Sequence, residues 1–148
     1  MAFKILRPQI KTLLETVPLL HEVAKYPKIK FSGYPAAHVI ASDNSADYET
    51  NKENIRTYAF LVRAFYETKN TGVELAMDGL EEVVDALIDL FDMEDMKGSD
   101  TRKVGINLPT GYTYINIWAT PGRWLELPED QLIMAEISVR IRISRDVS

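Results

Sequence analysis

Apolar residues recur every three or four positions near the N-terminus, where Ile10, Leu13, Leu14 and Val17 make one stripe and predict an amphipathic helix. It is expected to begin around Arg7 and Pro8, because a proline in the first turn has no N–H partner to lose. It should end or kink near Thr16, since Pro18 would cost about 3 kcal/mol in a helix interior. Residues 19–27 (LLHEVAKYP) read either as a further helical turn or two or as a short edge segment closed by Pro27. Residues 28–35 read as loop, punctuated by Gly33 and Pro35. Residues 36–42 (AAHVIAS) read as a short buried strand, and the polar run 43–54 (DNSADYETNKEN) as a long loop of the kind that usually carries function or is disordered. Residues 55–66 (IRTYAFLVRAFY) are aromatic and β-branched and predict a strand. Tyr58, Phe60, Val62 and Ala64 share one of its faces, with Arg56 on the same face near the open end.

The second helix has the strongest periodicity. Val73, Ala76, Met77, Leu80, Val83, Val84, Leu87, Ile88 and Phe91 form its apolar face, and Glu74, Asp78, Glu81, Glu82, Asp85 and Asp89 the opposite one. Thr71 is the expected N-cap, with Glu74 completing a capping box and Gly72 at the first helical position. Residues 92–103 read as an acidic turn, 112–119 (YTYINIWA) as a strand, and Pro121–Pro128 as a loop carrying Trp124 and Leu125. Residues 131–144 alternate as a long strand, with Ile133, Ala135, Ile137, Val139, Ile141 and Ile143 on one face. The order helix, strand, strand, helix, strand, strand pairs the strands as hairpins. The expected fold class is α+β, an antiparallel sheet of about four main strands packed against two helices on one face, in one domain spanning residues 1–148. The sheet's second face is half apolar, which in a chain of 148 residues invites a partner subunit.

Composition removes most chemistry. The absence of cysteine excludes disulfides, thiolate metal sites and a cysteine nucleophile. No apolar run approaches the roughly 20 residues of a membrane span, and charge and Pro8 interrupt the N-terminal stretch where a signal peptide needs an unbroken apolar region. Only His21 and His38 offer imidazole chemistry, and His38, in a buried strand, reads as a packing residue rather than a base. Gly-x-Ser-x-Gly, Walker and Gly-x-Gly-x-x-Gly motifs are all missing, and no His–carboxylate spacing suits a metal. A calcium loop starting at Asp92 fails, because Met96 and Lys97 occupy its fifth and sixth positions and Gly98 comes one late. The expectation is no catalytic residue, no metal and no cofactor.

Charge is divided unevenly: residues 1–31 carry a net +4, residues 32–100 a net −10 and residues 101–148 a net +1. The acidic middle argues against duplex DNA binding there. Arg56, Arg63, Arg140, Arg142 and Arg145, interleaved with Tyr112, Tyr114 and Trp118, could line a single-strand surface, but the ribonucleoprotein motif is absent. Salt bridges between subunits account for these arginines better.

Four segments in order carry a resemblance: Phe31-Ser-Gly-Tyr-Pro-Ala-Ala-His-Val39, then Asp47-Tyr-Glu-Thr-Asn-Lys-Glu-Asn-Ile-Arg-Thr-Tyr-Ala-Phe60, then Gly72 through Asp92, then the alternating strand through Ile143. Together they resemble the tail terminator proteins of long-tailed siphophages, also called tail completion or tail-to-head joining proteins, over about residues 6–144. None of these motifs is specific alone; Tyr-Glu-Thr-Asn…Asn-x-Arg-x-Tyr entering a strand is the strongest piece. The resemblance implies an α+β subunit of a homo-hexameric ring on the head-proximal end of the tail tube. There it stops tube polymerisation and docks the head connector or stopper protein. It implies a virion protein, in the host cytoplasm during assembly, with no catalysis, no membrane and no sequence-specific nucleic acid, the genome being able to pass through the lumen.

Within the family-like stretch, Tyr48, Glu49, Asn51, Asn54 and Arg56 are the expected assembly contacts, the alternative being a self-capped polar loop. Trp124 and Leu125 are a second expected interface, because exposed aromatics anchor interfaces, against burial under the sheet edge. The competing functions are another head–tail neck protein (head completion or stopper), a small-ligand-binding α+β regulatory domain, and an unrecognised hydrolase.

Overall fold

The computed structural model describes residues 2–28, 30–47, 53–69, 72–99, 108 and 110–146. Its elements run α1 (Ala2–Leu14), β1 (Glu22–Ala24), β2 (Ala36–Asp47), β3 (Glu53–Glu67), α2 (Val73–Ser99), β4 (Tyr112–Leu127), a short 3-10 turn (Pro128–Asp130) and β5 (Leu132–Asp146). The sheet order is β1-β2-β3-β5-β4. The two expected hairpins, β2–β3 and β4–β5, are joined through the antiparallel β3–β5 ladder. The fold class is α+β as expected, with one addition. Residues 22–24 form a short fifth strand that pairs parallel to β2, so the sheet is mixed and the edge-segment alternative for residues 19–27 is the one realised.

Strand alternation assigns the faces. Ala37 and Val39 of β2, Tyr58, Phe60, Val62 and Ala64 of β3, and Ile133 through Ile143 at odd positions of β5 are buried on one face. Against them pack Leu6, Ile10, Leu13 and Leu14 of α1 and Ala76, Leu80, Val83, Val84, Leu87 and Phe91 of α2. Helix α1 lies toward β1 and β2, while α2 lies over β4, β5 and β3. Both helices therefore cover the same face.

Several boundaries differ from expectation. Helix α1 starts at Ala2, which places Pro8 inside it. Leu6 is fully buried in the core, and burying a leucine is worth roughly 1.5–3 kcal/mol, enough to offset much of the proline's cost. The helix ends at Leu14, and Thr16 and Val17 close it with i→i−3 bonds ahead of Pro18. Residues 43–47 are not loop. They continue β2 opposite Ile55–Tyr58, past an irregularity between Ala41 and Asn44, because pairing with a β-branched and aromatic strand overrides their poor strand propensity. Residues 92–99 continue α2 rather than forming an acidic turn, with Met93, Met96 and Lys97 all good helix formers. Gly72 precedes α2 instead of opening it. Its φ is +78°, and its carbonyl accepts from Ala76 N at 3.1 Å, a left-handed N-cap position that suits glycine. Thr71 lies outside the described residues.

The loop expected at Pro121–Pro128 is also a strand as far as Leu127. Pro121 and Gly122 sit at a register shift between Pro121 and Trp124 on the edge strand β4. A proline is tolerated on an edge, where its missing N–H faces no partner strand, and glycine is common at bulges. A Cβ at Gly122 would meet the Glu136 carbonyl oxygen at 3.0 Å, a tight contact that favours glycine at the bulge.

Candidate assembly surface

Among the described residues, strand β4 pairs only with β5 and has no partner along its other edge. Trp124 lies opposite Ala135 on the helix-covered face, and Leu125 opposite Met134 on the other. They grip the end of the sheet from both sides and stay 37% and 42% exposed, so neither is buried under the edge. Val73 and Met77 of α2 line the same small cavity as Trp124 and Leu125. The exposed Val73 and Leu75 extend this apolar end across the first turn of α2.

The other expected contacts separate. Arg56 is half-buried on the helix-covered face of β3, paired between Ala46 and Ile143. Asn54 lies on β3 opposite Arg145, two residues along the same strand. Tyr48, Glu49 and Asn51 lie outside the described residues. Asn54 and Arg56 lie far along the strands from Trp124 and Leu125.

Three further exposed apolar side chains are not singled out by the sequence pattern. Leu75, off the apolar stripe of α2, is 65% exposed. Ile115 is exposed at the β4 irregularity between Tyr114 and Asn116, and Tyr26 is exposed after β1. Leu75 was detectable as a large apolar residue out of phase with its helix; the other two depend on pairing that no local pattern encodes.

Among the described residues, no helix covers the second sheet face. At one end Phe65, Leu132 and Met134 are buried beneath Phe31, Tyr34 and Leu127. In its middle, Glu136 accepts hydrogen bonds from Arg63 Nε at 2.7 Å and Arg123 Nε at 2.8 Å. Burial would raise the Glu136 carboxyl, but these two guanidinium hydrogen bonds, with their charges, outweigh it and hold the pKa below the usual range. Arg123 directly follows the bulge at Gly122, so the β4 irregularity positions one arm of this clasp. Beyond it lie half-buried Leu61, Ser138 and Trp118 and exposed Arg140. This face is partly apolar and rich in arginine, a composition suited to contact with another protein surface.

His38 is buried on the same face, beside the Phe65 ring at 5.1 Å. Its Nδ1 lies 3.0 Å from the Lys28 N–H and 2.6 Å from the Lys28 carbonyl oxygen, and Nε2 has no partner among the described residues. Desolvation is the main influence and lowers its pKa, outweighing the bond to the Lys28 backbone, and the Arg63 charge adds to the lowering. This neutral imidazole ties the 25–35 connection to β2. Glu22, on β1, accepts from Lys28 Nζ at 2.6 Å and from the N–H and hydroxyl of Ser32, each at 2.8 Å; these bonds hold its pKa down at about 2.

All three groups bind fewer protons when folded, so stability rises with pH. His38 contributes a loss that begins as pH falls through its ordinary value of 6.5. Glu22 and Glu136 contribute a second loss below the ordinary carboxyl value of 4.5. Thermal unfolding between pH 8 and 3 should show both, and His38→Leu should flatten the slope just below pH 6.5 while leaving the carboxylate limb. An unchanged slope in that variant would remove His38 as the cause.

A chain from a solved structure, the virion of a native gene transfer agent particle, is similar in fold, with a TM-score of 0.57 and 15% sequence identity. The similarity covers 95% of this chain and 96% of that one. No family model matches the sequence, and no curated protein matches it.

Proposed function

We propose that this chain is a structural subunit of a phage-like particle, and that it forms a ring on the head-proximal end of the tail tube, where it ends tube growth and receives the head connector. The observation that carries the reading is the end-to-end correspondence of fold with a chain of a gene transfer agent virion, with almost nothing left over on either chain. The order of segments that resembles tail terminators narrows it from virion subunit to terminator. The surface is consistent with that role. An edge strand, unpaired on one side among the described residues, presents Trp124 and Leu125, and no helix covers the arginine-bearing sheet face among them. The role involves no turnover, and His38, buried and held by the Lys28 backbone, supplies no accessible base.

The test is addition of the purified protein to polymerising tail tube protein. A terminator shortens the tubes in a dose-dependent way and appears as a ring at one tube end by electron microscopy. Undisturbed tube growth, together with binding to isolated heads, would instead assign the chain to a head-side neck component.

A further inference from the structure

Between the N-terminal half of α1 and the segment after β1 lies a cleft of about 460 Å3, lined by Lys4, Arg7, Pro8, Lys25 and Tyr26. Arg7 Cζ sits 4.9 Å from the Tyr26 ring centroid and Lys25 Nζ 5.3 Å from it. Two cations thus lie against one aromatic ring, an arrangement the ring quadrupole favours but mutual repulsion opposes. Among the described residues, no carboxylate lines the cleft and none of its three cations makes an ion pair. Arg7 Nε is shielded from solvent and has no hydrogen-bond partner among them.

The complementary surface is on the same chain. Glu74, Asp78, Glu81, Glu82, Asp85 and Asp89 are exposed along α2, over about 22 Å at 1.5 Å per residue. Residues 73–96 contain no lysine or arginine, and none of these six acids makes an ion pair among the described residues. Their i,i+4 neighbours repel by a few tenths of a kcal/mol each.

The cleft belongs to α1 and β1 at one edge of the sheet, and α2 lies toward the β4 edge. Patches of opposite charge at different places on one subunit suit a head-to-tail contact between copies that repeats. We propose that the Lys4–Arg7–Lys25 cleft of one subunit receives the acidic face of α2 from a second copy of the chain. Closure of that repeat into a ring rests on the reading above; the contact itself does not. A nucleic acid duplex is a poorer occupant, because the α2 stripe repels phosphate and would remain uncompensated.

Charge-swap sedimentation tests the contact. The variants are Arg7→Glu/Lys25→Glu and Glu81→Lys/Glu82→Lys/Asp85→Lys, with circular dichroism checking that both stay folded. At 50 mM salt and protein concentrations up to 1 mM, the wild-type chain should self-associate. Each variant alone should associate on the order of tenfold more weakly or worse. Their equimolar mixture should recover association, because each supplies the charge the other now needs. An unassociated wild type, a variant that associates normally, or a mixture that does not recover would each overturn the proposal. So would loss of affinity for a labelled DNA duplex in the cleft variant with self-association intact. The tube-shortening assay separates this inference from the functional one. Normal self-association without capping would sink only the terminator role, and a cleft variant that caps tubes as well as wild type would sink only the contact.

Discussion

Phe60→Ala is expected to destabilise the protein by about 3–5 kcal/mol, the range for losing a fully buried aromatic and leaving a cavity behind. Phe60 has no solvent exposure and sits on β3, which is paired on both sides, opposite Ala41 and Val139. Both helices pack on its face, so the void has no mobile wall that could collapse into it. Domains of this size are stable by about 5–15 kcal/mol, and the variant stands near the edge of folding. Leu61→Ala, one residue along on the other face and half-buried, serves as the internal comparison. It should cost clearly less. Urea unfolding with equal m-values measures both, and equal losses would mean that the helix-covered face is not the main core.

The second large effect concerns assembly rather than folding. Trp124→Ala combined with Leu125→Ser should leave the thermal midpoint within a few degrees of wild type, because both side chains keep more than a third of their surface in solvent. Capping of tail tubes should weaken by about thirtyfold or more, the effect of losing a hot-spot anchor of 2 kcal/mol or above. Titrating the variant against growing tubes and counting lengths by electron microscopy gives the ratio. Normal capping would clear this end of the sheet of any role in the interface. A large drop in the midpoint would mean that Trp124 acts chiefly in packing, over Val73 and Met77.

The elements whose residues face a core on a fixed period were legible in the sequence. The stripe from Ala76 to Phe91 and the alternation from Ile133 to Ile143 both placed their residues on the correct face, and Arg56 fell where alternation put it. Val73, expected at the head of the helix stripe, is exposed. The errors came where local chemistry and long-range pairing disagree. Pro121 and Gly122 look like a loop, yet an edge strand tolerates both at a bulge. The run Asp43-Asn-Ser-Ala-Asp47 looks like a loop, yet its residues from Asn44 on pair with Ile55 through Tyr58. Pro8 looks like a helix start, yet burial of Leu6 draws the helix back to Ala2. Three residues of β1 pair parallel to β2, a contact no short segment can announce. Of the expected contacts among the described residues, Trp124 and Leu125 share one surface, and Asn54 and Arg56 lie away from it along β3. The basic cleft escaped notice because Lys4, Arg7 and Lys25 converge only after α1 docks beside β1.

The central claim is that this chain ends tail tubes, and disrupting its gene in a particle-producing strain tests it most directly. Electron microscopy of the lysate should then show tubes of abnormal, unregulated length beside separate DNA-filled heads. Tails of normal length beside unattached or leaking heads, or normal particles, would contradict it.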